Sequence, residues 1–286
     1  VHPQKLEVRV SDPRLIQDRK FVLPEGFPAD RNRNTMKQTS SILGGLCIAM
    51  VLLSSCRKDP PTPAVLGSVL KLTVRPVWNG FPFDKTQIHL TPTAQRVRAT
   101  LVKFFLADFT LVSGGTEHQL FDADLFDVTN GPLTRVLSAP AGTQQELRFG
   151  LGLPPILNHR DINTIPPNDP TGNNSGMYWS WATMYRFALF EGHFDNDPNA
   201  TGEPVDNFSL HTGLDTCYRT RSIPIDLAIA AAVPMRLTLH VALARFFTNG
   251  TDTLDLSQSA SWHGEVDHID VGLKVATLES DAFSVQ

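Results

Sequence analysis

Cysteine is scarce in this sequence. The three present among 286 residues, Cys47, Cys56 and Cys217, are too few for a disulfide framework. Charge is sparse as well, at 19 % of residues. The 25 Lys/Arg and 29 Asp/Glu leave a net charge of −4. No basic surplus exists to neutralise phosphates, which excludes a nucleic-acid partner. Catalytic signatures are missing: no G-x-S-x-G elbow, no phosphate-binding P-loop, no G-x-G-x-x-G after a strand and no His pair at HExxH spacing. The chain therefore reads as non-catalytic. Helical periodicity is weak and no internal repeat is visible. What remains is a globular composition, 41 % hydrophobic, punctuated by 21 Pro and 19 Gly. Such frequent chain reversal favours β structure.

The first strong pattern starts at Met36. Lys37 supplies a short positive region, and Ile42 to Leu53 an apolar run of twelve residues. A membrane-spanning helix needs about 20. The run ends in Leu53-Ser54-Ser55-Cys56, which resembles a bacterial lipobox, with Cys56 as the lipidated first residue of the mature chain. Residues 36–55 are then the lipoprotein signal peptide. The polar segment 1–35 reads as a non-native upstream extension. Residues 56–67 form a Pro-rich extended tether. From Cys56 onward the chain holds 17 Lys/Arg against 24 Asp/Glu, a net −7. These features predict an acidic protein of the cell envelope, held by lipid on the periplasmic side or at the outer membrane.

Residues 68–286 read as one all-β domain, an antiparallel β-sandwich with long loops. Leu70, Leu72 and Val74 alternate with Lys71, Thr73 and Arg75, the period of a half-buried strand. Phe105, Ala107, Phe109 and Leu111 alternate with Leu106, Asp108 and Thr110. Leu147, Phe149 and Leu151 repeat the pattern, as do Met235, Leu237, Leu239 and Val241. Trp78-Asn79-Gly80 and Ser113-Gly114-Gly115 read as turns between such segments. Ile223 to Val233 is the one stretch with the character of a short helix. Two irregular stretches stand out, 158–176 and 193–206. Asp195, Asp197 and Asn199 alternate as in a calcium loop. Ala200 and Asp206 stand where that loop wants Gly and Glu, so an acidic surface loop is the better reading.

Between the long loops runs MYWSWATMYRFALFE, Met177 to Glu191. Read as one strand, it points Trp179, Trp181, Thr183, Tyr185, Phe187 and Leu189 to one face, with the two tryptophans within about 7 Å. A β-sheet core with large aromatic area explains that spacing by itself. Followed by Glu191-Gly192 and by Phe208-Ser209-Leu210-His211-Thr212-Gly213, the stretch resembles the MbnP-like proteins, a periplasmic copper-binding family with lipoprotein members in Bacteroidota. LVKFFLADFTL (Leu101–Leu111), RFGLGLPPILN (Arg148–Asn158) and Asp281-Ala282-Phe283-Ser284 are similar to further stretches of that family, in the same order.

The resemblance implies a β-sandwich that holds copper outside the cytoplasm. In some relatives a partner dihaem enzyme oxidises a Trp to kynurenine, which then binds Cu(I) together with His. Carried onto this chain, Trp179 or Trp181 is the residue to be modified and His211 the best-matched imidazole. Imidazole suits Cu(I), and two further histidines are candidates on position. His159 opens the long loop, and His240 lies on the polar face of a strand. His263 and His268, with Glu265 and Asp267 in WHGEVDH, read as a solvated loop. The alternative function is an envelope interaction module. Its long loops and exposed tryptophans would bind a protein or a glycan.

Overall fold

The computed structural model describes residues 68–179 and 184–286. The upstream extension, signal peptide and tether expected over residues 1–67, with Cys56, and also Trp181, lie outside the described residues. The strands are β1 (Ser68–Trp78), β2 (Phe81–Pro82), β3 (His89–Leu90), β4 (Arg96–Ser113), β5 (Thr116–Asp127), β6 (Leu133–Ala139), β7 (Gly142–Leu151), β8 (Tyr178–Trp179), β9 (Met184–Asp195), β10 (Asp206–Gly213), β11 (Arg219–Ile229), β12 (Met235–Ala242), β13 (Ser261–Trp262) and β14 (Phe283–Val285). Two α-helices accompany them, α1 (Pro155–Asn158) and α2 (Ile269–Asp281).

The strands form two sheets. The smaller has the order β14-β12-β1-β2, with β6 also paired to β1. The larger has nine strands, with β11-β7-β4-β9-β10-β13 as its path. Its spine is the 18-residue β4. One edge of β4 carries β9 and then β7, and the other carries β3 and then β5. Most pairings are antiparallel, but β1–β12 and β10–β13 are parallel. Trp78-Asn79-Gly80 and Gly114-Gly115 are turns as the sequence predicts. Asn79 and both glycines of the second turn have positive φ, the conformation a tight hairpin needs.

The first core lies between the sheets. Leu70, Leu72 and Val74 of β1 and Leu237, Leu239 and Val241 of β12 meet Phe104, Phe149, Phe190 and Phe208 of the larger sheet. A second core covers the far face of the larger sheet. It gathers Phe105, Tyr185, Phe187 and Leu189 under Ile162, Ile165 and Met177 of the long loop, with Trp262 and Ala276. Among the described residues, the buried members of both cores lie between Leu70 and Phe283.

Three sequence expectations change. The β4 residues do not keep one face: Phe105 and Ala107 enter the second core, while Phe109 and Leu111 enter the first. A bulge is the cause. The register shifts between Ala107 and Thr110, and Asp108 sits at φ 49°. Residues 223–229 are strand, not helix. Ile223, Ile225 and Leu227 alternate onto the first core, and Pro224 is tolerated because β11 is an edge strand. The aromatic stretch is not one strand. Tyr178 pairs with Tyr185 and Trp179 with Met184, so the chain doubles back.

The long loop is packed rather than loose. Tyr185 Oη donates to the Thr171 carbonyl at 2.5 Å. Asn158 Oδ1 accepts from the Tyr185 amide at 3.1 Å, and its Nδ2 donates to Asp215 at 2.8 Å. A Cβ at Gly172 would lie 2.2 Å from the Pro166 carbonyl oxygen, so only glycine passes there.

Candidate metal centre

On the far face of the larger sheet, three strands bring one set of polar side chains together. Ser209 and His211 are two apart on β10 and share a face. Glu191 of β9 stands opposite Ser209. In the parallel β10–β13 ladder Ser261 lies beside Ser209, and the chain then carries His263 up beside His211. Strand period and register alone therefore gather two serines, two histidines and a carboxylate.

The contacts are close. The rings of His211 and His263 are 4.6 Å apart, and the Trp179 indole lies 6.2 Å from the first and 5.9 Å from the second. Ser209 Oγ is 3.0 Å from His211 Nε2 and 2.9 Å from His263 Nε2. Glu191 Oε1 is 2.6 Å from His211 Nε2. A carboxylate only accepts, so Nε2 of His211 carries the proton and Nδ1 keeps its lone pair. That Nδ1 is buried with no hydrogen-bond partner. Glu265 holds the His263 backbone amide at 2.6 Å.

Electrostatics favour uncharged imidazole here. Burial pushes the His211 ring below its ordinary value, and Glu191 pulls it back by hydrogen bonding. The neighbouring His263 and Arg186 add to the fall. Arg186 lies over the Trp179 indole at 5.3 Å and donates to the Gly176 carbonyl. Among the described residues, no three His, Cys, Asp or Glu side chains form a metal-holding group by themselves. Two imidazoles and a neighbouring indole are what the fold provides.

The chain is matched over residues 67–264 by the family model described as MbnP. It belongs to the MbnP family. That match spans β1 to the residue after His263, so every side chain of the cluster lies inside the MbnP region. Among solved structures, MbnP from Methylosinus trichosporium is similar at 14 % identity and a TM-score of 0.42, covering 70 % of this chain and 82 % of that one. No curated protein matches the chain.

Of the residues the sequence singled out, the structure brings Trp179 and His211 together. It places His159 elsewhere, on Asp215 at 2.8 Å. His240 sits on the smaller sheet beside Arg75, across the first core from His211. Cys217 is a buried thiol that burial pushes up to about 11. The MbnP cluster also contains His263, which the sequence placed in a solvated loop, and Glu191, Ser209 and Arg186, to which it gave no role at the site. A signal was present. Ser209-Leu210-His211 and Ser261-Trp262-His263 repeat one Ser-x-His triplet, the first within β10 and the second running one residue past the end of β13.

Proposed function

We propose that this MbnP-family chain is a cell-envelope lipoprotein, anchored through Cys56, that binds copper and catalyses no reaction. The observation that carries the reading is the meeting of His211, His263 and Trp179. Two imidazoles suit Cu(I), a soft ion of low coordination number. The buried, unpartnered Nδ1 of His211 is a lone pair with nothing else to do. Glu191 acts behind it, holding the tautomer and the ring orientation, as carboxylates do behind metal-bound histidines. Two imidazoles fall short of a full donor set. Conversion of Trp179 to kynurenine by a separate dihaem oxidase would add an aryl amine next to both rings. Copper is the cargo in this reading, and Arg186 and Ser209 position the residues that receive it. One face of the Trp179 indole is taken by Arg186, which weighs against its use as a glycan-stacking platform.

The test starts from protein isolated from its own membranes. Cu(I) is loaded without oxygen, and the retained metal is counted after gel filtration. One equivalent is expected. H211A and H263A should each lose it, and H240A should keep it. A peptide covering Trp179 should carry the mass change from Trp to kynurenine. Loss of copper in none of these variants, or no copper in the native protein, overturns the reading.

A further inference from the structure

The smaller sheet is unusual in its charge. Residues 68–286 hold 15 Lys/Arg against 23 Asp/Glu. Yet the strands of this sheet, SVLKLTVRPVW, FP, LTRVLSA, MRLTLHVA and FSV, contain no acid at all. Their inward positions fill the first core. Their outward positions carry Lys71 beside Arg236 and, two rows further along past Thr73 and Thr238, Arg75 beside His240. The ion pairs of the described residues use Arg96, Arg98, Arg135, Arg148 and Arg221, and none involves Lys71, Arg75 or Arg236. Like charges abreast on neighbouring strands cost the isolated fold. An anionic surface reverses the sign of that term.

Two more observations bear on what covers this face. Val69 and Val136 stand on it, 38 % and 67 % exposed, and Val136 pairs with Lys71. Cations interspersed with small apolar side chains fit the headgroup level of a bilayer. The face also begins close to the anchor along the chain. Ser68 opens β1 twelve residues after Cys56. An extended chain covers at most about 40 Å over that length. Arg57 and Lys58 follow Cys56 directly.

We infer that the outward face of the smaller sheet lies against an anionic phospholipid surface, with Lys71, Arg75 and Arg236 at the headgroups. The His211–His263–Trp179 cluster, on the opposite side of the sandwich, then faces away from the membrane, open to whatever delivers or receives its metal. This inference rests on the lipid anchor of the proposed function and is independent of copper.

The experiment uses residues 56–286, which contain both cores. The Cys56 thiol is coupled to a maleimide lipid in vesicles of phosphatidylcholine, with or without phosphatidylglycerol. Cys217 is buried and does not compete. A water-soluble acylating reagent then reports each lysine by peptide mass spectrometry. On the anionic vesicles Lys71 should label about fivefold more slowly, the scale of one cation at such a surface. The exposed Lys85 and Lys274 should label as on the neutral ones. High salt, or the R75Q/R236Q variant, should abolish the protection. Equal Lys71 rates on both vesicles overturn the inference. So does slowing of all three lysines alike, or protection of Lys71 by soluble heparin but not by vesicles, which would assign the face to an acidic macromolecule. The anchor itself is read separately. A native N-terminal peptide without an acyl group at Cys56 overturns the lipoprotein reading, whereas the labelling result judges the face.

Discussion

The two sheets follow the same period-two alternation, and their outer faces could hardly differ more. The smaller sheet presents Lys71, Thr73 and Arg75 to solvent, and its pattern can be read strand by strand. The outer face of the larger sheet is roofed by the long loop and bordered by α2. Polar residues there, such as His211 and Asn158, are buried, and so is Glu279 of α2. Alternation fixes which side of a strand a residue takes. Whether that side is wet depends on what later segments cover it. A polar residue in an alternating pattern is therefore a surface residue in one sheet and part of an enclosed polar cluster in the other.

The largest effect that would sharpen this contrast belongs to Glu279, on α2. Its carboxyl is fully buried and accepts from Thr212 Oγ1 at 2.9 Å, while the other oxygen has no partner. Burial pushes its pKa up to about 8. A raised carboxyl favours the folded state when protonated, so its stabilisation is complete below about 4.5 and is lost as pH rises through 8. Between pH 5 and 9 this group should cost the fold about 4 kcal/mol. E279Q should remove that slope in urea titrations at the two pH values. An unchanged slope would show that Glu279 is solvated after all.

Next in size is Gly272 of α2. An added Cβ there would lie 2.3 Å from the buried Trp262 ring, which anchors the strand leading into His263. G272A should destabilise the domain by about 1–3 kcal/mol, since a packed indole has little room to yield. It should also weaken copper retention along with stability. A stable variant that keeps its metal would separate the site from the packing beneath it.

Ser209 tests the polar cluster directly. S209A removes the hydroxyl shared by both imidazoles and should weaken Cu(I) binding by about 10–100-fold, the usual scale for a group that orients metal-bound histidines. Competition with a chromophoric Cu(I) chelator measures this, and wild-type affinity would argue that the hydroxyl orients neither ring. The smallest effect is expected on the bare sheet. Thr73 Oγ1 meets Thr134 Oγ1 at 2.9 Å in the open. T73V should shift stability by no more than about 0.5 kcal/mol. A larger loss would mean that this face is less bare than it looks.

Much of the fold was legible. β1, β7 and β12 follow their alternation to the residue, and the Asn-Gly and Gly-Gly turns fall where read. The misreadings have local causes. Asp108 adopts a conformation that its sequence does not advertise, and it swaps the faces of β4. Ile223 to Val233 has enough alanine to look helical, but Ile223, Ile225 and Leu227 had a core to reach at period two. Trp179 and Tyr185 look like one strand face until the chain turns back between them. His211 was legible through the aromatic context upstream, whereas His263 sat in an acidic, turn-like string with no apolar period of its own.

The sequence by itself determined the all-β class, the family and the chemistry at hand, imidazole and indole. It could not determine that residue 263 stands beside residue 211. Period two is a property of each strand and needs no neighbour. The parallel pairing of β10 with β13 joins segments some fifty residues apart, across β11, β12 and the turns between them. Only closure of the whole sandwich sets that register, and with it the two rings that share a serine.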